Sequence, residues 1–182
     1  MMDPRNYAAN ETLKDGTAVT IRAIRRDDKS SLQEAFRNLD QESIYKRFFS
    51  PKKELTEAEL KQLTEVDFSQ VVALVVTTQG NNGETLIGGG RLISAAPPAQ
   101  SAEIAFLTEA DYRGCGIASL VLRHLVQIAK ETGVIRFEAD VLAENQPMLT
   151  VFRRSGLPMR QQREGNVIHV TLSLQGDPKP GS

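Results

Sequence analysis

From residue 17 to residue 25 apolar and polar side chains alternate, with Val19 and Ile21 set against Thr20 and Arg22. A period of two predicts a half-buried strand. Beyond Asp27 and Asp28, residue types that cap helix N-termini well, Leu32, Ala35, Phe36 and Leu39 recur at the spacing of one helix face. A shorter apolar set, Ile44, Tyr45, Phe48 and Phe49, predicts a second helix that must stop at Pro51. Thr56 and Glu59 then form a capping box ahead of Leu60 and Leu63, which marks a third.

Val71 to Thr78 is almost wholly apolar, Gly80-Asn81-Asn82-Gly83 supplies turn chemistry, and Thr85 to Ser94 returns as a second strand of a hairpin. Ala96-Pro97-Pro98-Ala99 interrupts the chain before Ser101 to Thr108, which continues an antiparallel meander. Ile117 to Glu131 has a narrow polar stripe, Ser119, Arg123, Gln127 and Lys130, and aliphatic residues nearly everywhere else, so this helix must be largely buried. His124 falls on its apolar part beside Val121 and Ile128 and reads as a satisfied core histidine. Gly133 ends the helix, and Val134 to Val141 alternates Ile135, Phe137, Ala139 and Val141 against Arg136, Glu138 and Asp140. Strand, helix, strand implies a parallel neighbour through a right-handed crossover. A last helix from about Asn145 to Arg154, closed by Gly156, precedes a hairpin around Gly165-Asn166 that turns Ile168, Val170, Leu172 and Leu174 inward.

The expected fold is therefore α/β of the α+β type, a mixed and mostly antiparallel sheet of about six to seven strands flanked by helices. Residues 12–175 make one domain, residues 1–11 a flexible stub, and the Gly/Pro-rich stretch 176–182 a flexible tail. The 182 residues, 40% hydrophobic, suffice for one core. Twenty-two basic against twenty-three acidic residues leave a net charge of −1, which gives no overall field for a nucleic-acid backbone. No apolar run approaches the roughly 20 residues that span a bilayer, and Met1 to Asn10 lack the core of a secretion signal, so a cytoplasmic protein is expected. The single cysteine, Cys115, excludes an internal disulfide, and no Cys/His cluster has metal-ligand spacing, so no metal is expected.

The stretch Arg113-Gly114-Cys115-Gly116-Ile117-Ala118 lies between a predicted strand and the buried helix. Glycines let the backbone turn sharply, and the first unpaired N–H groups of the helix, at the positive end of its dipole, favour an anion such as a phosphate. A plain strand-to-helix turn is the alternative. A P-loop fails, because no Gly-Lys-Ser/Thr follows a glycine at the required spacing. A dinucleotide fold fits poorly, since Ser119 stands where the third glycine belongs and a single strand-helix-strand unit follows.

These residues resemble the GNAT superfamily, whose acyl-CoA loop reads Gln/Arg-x-x-Gly-x-Gly/Ala and is matched by Arg113, Gly116 and Ala118. Asn145, Met148, Phe152, Gly156 and Leu157 occupy the family's downstream motif. Leu13-Lys14-Asp15-Gly16, Arg47-Phe48-Phe49-Ser50-Pro51 and Ala102-Glu103-Ile104-Ala105-Phe106 look like the bacterial protein-lysine acetyltransferases of that superfamily. The resemblance implies a mixed sheet and transfer of an acetyl group from acetyl-CoA to a primary amine, a protein lysine or a small molecule. It implies that Arg113, Gly114, Cys115, Gly116, Ile117 and Ala118 seat the diphosphate, while the backbone of Phe106, Leu107 and Thr108 pairs with the pantetheine arm, near Asn145 and Phe152. It also implies Glu103 as the catalytic base.

A lysine amine, with pKa about 10.4, is unprotonated at neutral pH in roughly four molecules per ten thousand, so attack on a thioester needs a proton acceptor. Glu103 suits that role if partial burial raises its pKa. The other reading places it on the solvated face of its strand, opposite Ile104 and Phe106. Where relatives place a tyrosine to protonate the departing thiolate this chain has Phe152, so the thiolate leaves unassisted or another donor serves. Asn145 is equally well placed to cap the last helix. Cys115, at a helix N-terminus, has the position of a reactive thiol but no His/Asp partner. Lys46, Arg47, Lys52 and Lys53 read as a solvated helix end. The competing functions are a small-molecule amine acetyltransferase and a non-catalytic acyl-CoA sensor; monomer and homodimer both stay open.

Overall fold

The computed structural model describes residues 3–37, 54–80, 83–96, 100–108, 112 and 114–175. Eight strands form one sheet in the order β1-β2-β3-β4-β5-β6-β8-β7. They are β1 (Ala8–Thr12), β2 (Ala18–Ala23), β3 (Val71–Gly80), β4 (Gly83–Ser94), β5 (Ser101–Thr108), β6 (Arg136–Leu142), β7 (Met159–Glu164) and β8 (Val167–Ser173). Every neighbouring pair is antiparallel except β5 and β6, the parallel pair that the strand-helix-strand pattern predicts. Among the described residues four α-helices flank it: α1 (Lys29–Arg37), α2 (Glu57–Thr64), α3 (Ile117–Glu131) and α4 (Gln146–Arg154). The helix expected around Ile44 to Phe49, and with it Arg47-Phe48-Phe49-Ser50-Pro51 and the basic cluster, lies outside the described residues, as does the tail 176–182.

The sheet exceeds the expected width at its N-terminal end. Residues 8–11, assigned to a stub, pair with Thr12 as one strand against β2, from Ala8↔Arg22 to Thr12↔Ala18. Ala-Ala-Asn-Glu-Thr has no apolar alternation, so its order comes from contacts distant in sequence. Tyr7, 7% exposed, joins its hydroxyl to Nδ1 of His124 and donates to Gln127 Oε1 at 3.3 Å, and His124 Nε2 lies 2.8 Å from the Glu11 carboxylate. Arg123 reaches the same carboxylate at 2.9 Å. His124 is thus the satisfied core histidine that its helix position predicts.

Two layers of side chains cover the sheet. On one face α3 and α4 bury Leu92, Ile104, Phe137, Val170 and Leu172 against Val121 and Leu125. Helix α3 comes close because β4 passes beneath it as Gly88-Gly89-Gly90. An added Cβ on Gly88 would stand 2.8 Å from Ile117 Cγ2, and one on Gly90 2.8 Å from Val121 Cγ1. On the other face α1 and α2 pack Phe36, Leu55, Leu60 and Leu63 against Leu107, beside Ile24, Ala73 and Val75. That second layer ends near β5; among the described residues no helix covers the stretch carrying Glu103, Glu138, Asp140 and His169.

One buried ionic knot fixes α1 to the sheet. Arg22, 4% exposed, binds both oxygens of Asp28 at 2.8 and 2.9 Å and Glu84 at 2.6 Å. Burial pushes the Asp28 carboxyl up, but the hydrogen bonds from Arg22 and the Arg25 backbone outweigh it and hold the group below the usual range. Glu84 is held low chiefly by Arg22. Truncation as Arg22→Ala strands two carboxylates and should cost about 3–5 kcal/mol in urea unfolding. Because both folded-state values are depressed, this stabilisation should be full above the ordinary carboxylate range and disappear as pH falls through the depressed values.

His169 shows the opposite sign. Its Nδ1 lies 2.7 Å from Asp140 and its Nε2 3.3 Å from Glu138, and the hydrogen bond to Asp140 raises its pKa most. The charged imidazole therefore stabilises the fold fully below about pH 6.5, and the gain is lost as pH rises through the higher folded value. An NMR titration should give His169 a midpoint above about 6.5, and Asp140→Asn should lower it.

Candidate active site

Strand β5 pairs with β4 from Ser94↔Ala102 to Gly88↔Thr108, and β6 pairs with β8 from Arg136↔Ser173 to Leu142↔Val167. Between themselves β5 and β6 share only Ser101↔Arg136, Ala102↔Phe137 and Glu103↔Glu138. Past Glu103 the two strands separate, and the backbone of Ile104 to Thr108 has no strand partner on the β6 side. The opening is a cleft of about 170 Å³, walled by β5, β6 and α4.

Four predicted site residues converge there: Glu103, Phe106, Asn145 and Phe152 all line the cleft, with Met148 between the last two in sequence. The Phe106 and Phe152 rings are tilted against each other with centroids 6.2 Å apart, and Phe152 is 1% exposed, so they form an apolar wall. Asn145 does cap α4, its Oδ1 accepting from Met148 N at 3.3 Å. Among the described residues its amide nitrogen has no partner. The side chain of Leu107 joins Phe36 and Leu55 in the opposite layer, and its backbone belongs to the length of β5 that has no partner on the β6 side. Thr108 ends β5 opposite Gly88.

Glu103 stands at the mouth, and its side chain is exposed. The partial burial expected of it does not occur, because α1 and α2 stop short of this part of β5. Its carboxylate acts electrostatically on Arg91 of β4. Arg91 lines a cavity of about 90 Å³ between α1, α2 and strands β3 to β5, with Ile24, Phe36, Leu63 and Leu107 among the walls. The guanidinium is partly buried, its Nε has no hydrogen-bond partner, and desolvation pushes its pKa down. Nothing in the motif reading pointed to Arg91; the available signal was a single cation inside the otherwise small and apolar Leu86–Ile93 run.

At the other end of the opening lies the start of α3. Gly114 and Gly116 have φ of +79° and +89°, values that suit glycine, and Gly116 caps the helix with no side-chain hydrogen bond. The N–H groups of the first turn are therefore left for a guest. Ile117, 1% exposed, anchors the turn on Gly88, and Ala118 is partly buried beside it. Arg113 lies outside the described residues. Lys14, quoted in a motif but given no role by it, stands here: at the β1–β2 turn it donates its backbone N–H to Cys115 O at 3.2 Å, and its side chain crosses Gly116. The Cys115 thiol is pushed up by partial burial and by the Asp15 carboxylate, 3.7 Å from Sγ, which opposes a nucleophilic role. Among the described residues no group of His, Cys, Asp and Glu is arranged to hold a metal, and no helix is long and apolar enough to cross a membrane.

Comparison with known proteins agrees with this geometry. A family model described as an acetyltransferase (GNAT) domain matches residues 18–158. Acetyltransferase PA5475 of Pseudomonas aeruginosa is 28% identical over 138 residues, which are 76% of this chain and 74% of that protein. Acetyltransferase Pat of Mycolicibacterium smegmatis is 37% identical over 115 residues, 63% of this chain, yet the match spans only 34% of Pat. The GNAT domain of S. lividans PAT superposes with a TM-score of 0.84 at 32% identity, covering 91% of this chain and 96% of that one. On the split sheet, the glycine-capped helix and these matches, the chain belongs to the GNAT acetyltransferase family and is an acyl-CoA-dependent N-acetyltransferase.

Proposed function

We propose that this protein transfers the acetyl group of acetyl-CoA to a protein lysine by direct attack, with Glu103 as general base. The observation that carries the reading is the parting of β5 and β6 immediately beyond Glu103, which sets a carboxylate beside an unpaired length of strand. An extended pantetheine arm can add to that strand edge much as a peptide does. Its diphosphate then falls at the first turn of α3, where the free N–H groups, the helix dipole, Lys14 and Arg113 favour negative charge.

Each remaining group has a part. The open position of Glu103 suits an amine presented on another protein's surface, and an acceptor from Pat-like chemistry is in keeping with the relatives named above. Glu103 takes a proton from the ammonium, directly or through water, and exchanges it with solvent. The neutral amine attacks the thioester carbonyl, whose oxygen is polarised by a β5 amide; the C–N bond forms, the nitrogen gives its second proton to the regenerated Glu103 carboxylate or to water, and the C–S bond breaks. The Phe106–Phe152 wall keeps water from the thioester but donates no proton. The departing thiolate, with a pKa near 8.5 for a simple thiol, leaves without a phenol to protonate it.

Exchange of the base as Glu103→Gln should lower kcat by about 100- to 10,000-fold while calorimetry finds the acetyl-CoA affinity kept. Equal turnover in the two proteins would instead remove Glu103 from the role of base. Gly116→Ala forces a side chain into a left-handed turn and against Lys14. It should weaken acetyl-CoA binding about tenfold, given a strain of roughly 1–2 kcal/mol.

A further inference from the structure

We propose that Arg91 is a specificity-determining residue, whose guanidinium takes a carboxylate that the acceptor carries close to the amine being acetylated. The inference rests on the amine-acetylating reading of the same site and deepens it.

The strand pattern puts Arg91 on the acceptor side. Leu92 lies in the core beneath α3, and a Cβ on Gly90 would meet Val121 of that helix, so Arg91 between them faces the opposite layer. Arg91 pairs in register with Ala105, and Ile93 with Glu103, so Arg91 and Glu103 are diagonal neighbours on one face. Side chains so related are about 7–8 Å apart, within joint reach of a single bound molecule.

Among the described residues this cation has no acidic partner. Its Nε is buried without a partner, and among the described residues the guanidinium enters no ion pair, with Glu103 or with any other acid. The surrounding walls, Phe36, Leu63, Ala73 and Leu107, offer no acceptor side chain. A desolvated charge left unpaired is costly, and native proteins seldom retain one without a use. The cofactor's diphosphate does not supply the missing anion, because its amides belong to α3 on the far side of the sheet. A partner that arrives with the acceptor fills this place. A carboxylate matches the planar fork of donors, and it comes either from an acidic side chain flanking a lysine or from the α-carboxylate of an amino acid.

The test compares acceptors that differ only in this charge: lysine peptides with a flanking Glu or Gln, and free amino acids beside their amides. For the wild type, kcat/KM should favour the carboxylate form by about 10- to 100-fold, as a charged hydrogen bond warrants. In Arg91→Gln the ratio should fall to about one, with Arg91→Lys recovering only part of it. Preference among the peptides identifies a side-chain carboxylate, and preference among the amino acids an α-carboxylate. An unchanged ratio in Arg91→Gln overturns the proposal. A second readout needs no turnover. The Arg91 Nε–H resonance, identified by its loss in Arg91→Lys, should shift on addition of the acetylated Glu peptide or acetylated amino acid and not of their amides. Lack of any shift overturns the proposal even if lysines are acetylated. A shift without acetylation of any acceptor by the wild type leaves Arg91 its ligand and removes the acetyl-transfer reading instead. Finally, Arg91→Met should keep or raise Tm, since it deletes an unpaired charge; a lowered Tm would assign Arg91 to the fold and overturn its role in recognition.

Discussion

The site depends on a conflict of pairing in the middle of the sheet. Strand β5 is committed to β4 along almost its whole length and β6 to β8, while their mutual ladder ends after three residue pairs. Backbone N–H and C=O groups that lose a strand partner must find another donor or acceptor or remain in water. The sheet thus keeps an internal edge, bounded by strands that cannot move apart further without breaking their outer ladders. A cleft made this way is as rigid as the sheet itself, and it places the unpaired backbone of Ile104 to Thr108 directly beside Glu103 on one strand.

Three supports hold the rest of the machinery to that edge. The glycines of β4 let α3 lie against the sheet, which fixes where its first turn opens. The β1–β2 turn reaches the same place through Lys14 and Cys115, and β1 is in turn held by His124 and Arg123 of α3. The first turn of α3 is therefore held by segments about 100 residues apart, each bracing the other.

Much of this was legible from residue patterns. Helix α3 runs over the residues its polar stripe predicts, the Thr56–Glu59 box caps α2, and the inward residues of β8 alternate as expected. Those features are local, and a period or a cap states them directly. What patterns missed depends on distance. β1 carries no hydrophobic signal because its stability comes from Tyr7 and Glu11 meeting α3. The opening beside Glu103 reflects how long two parallel strands stay paired, which no single segment encodes. Glu103 is exposed because of where the second layer of helices ends, and Arg91 matters through the empty space around it rather than through a motif.

The outermost strand adds one more consequence. β7 reads Met-Arg-Gln-Gln-Arg-Glu and is exposed from Arg160 to Glu164. Alternate cationic and amide side chains along a free margin hinder docking by a foreign strand, a common guard against end-to-end aggregation. With that flank discouraged, the hydrogen-bonding capacity left over in the sheet lies in its interior gap and along the five-residue margin of β1. The molecule can advertise bare backbone to its small-molecule donor without inviting its own copies to polymerise on it.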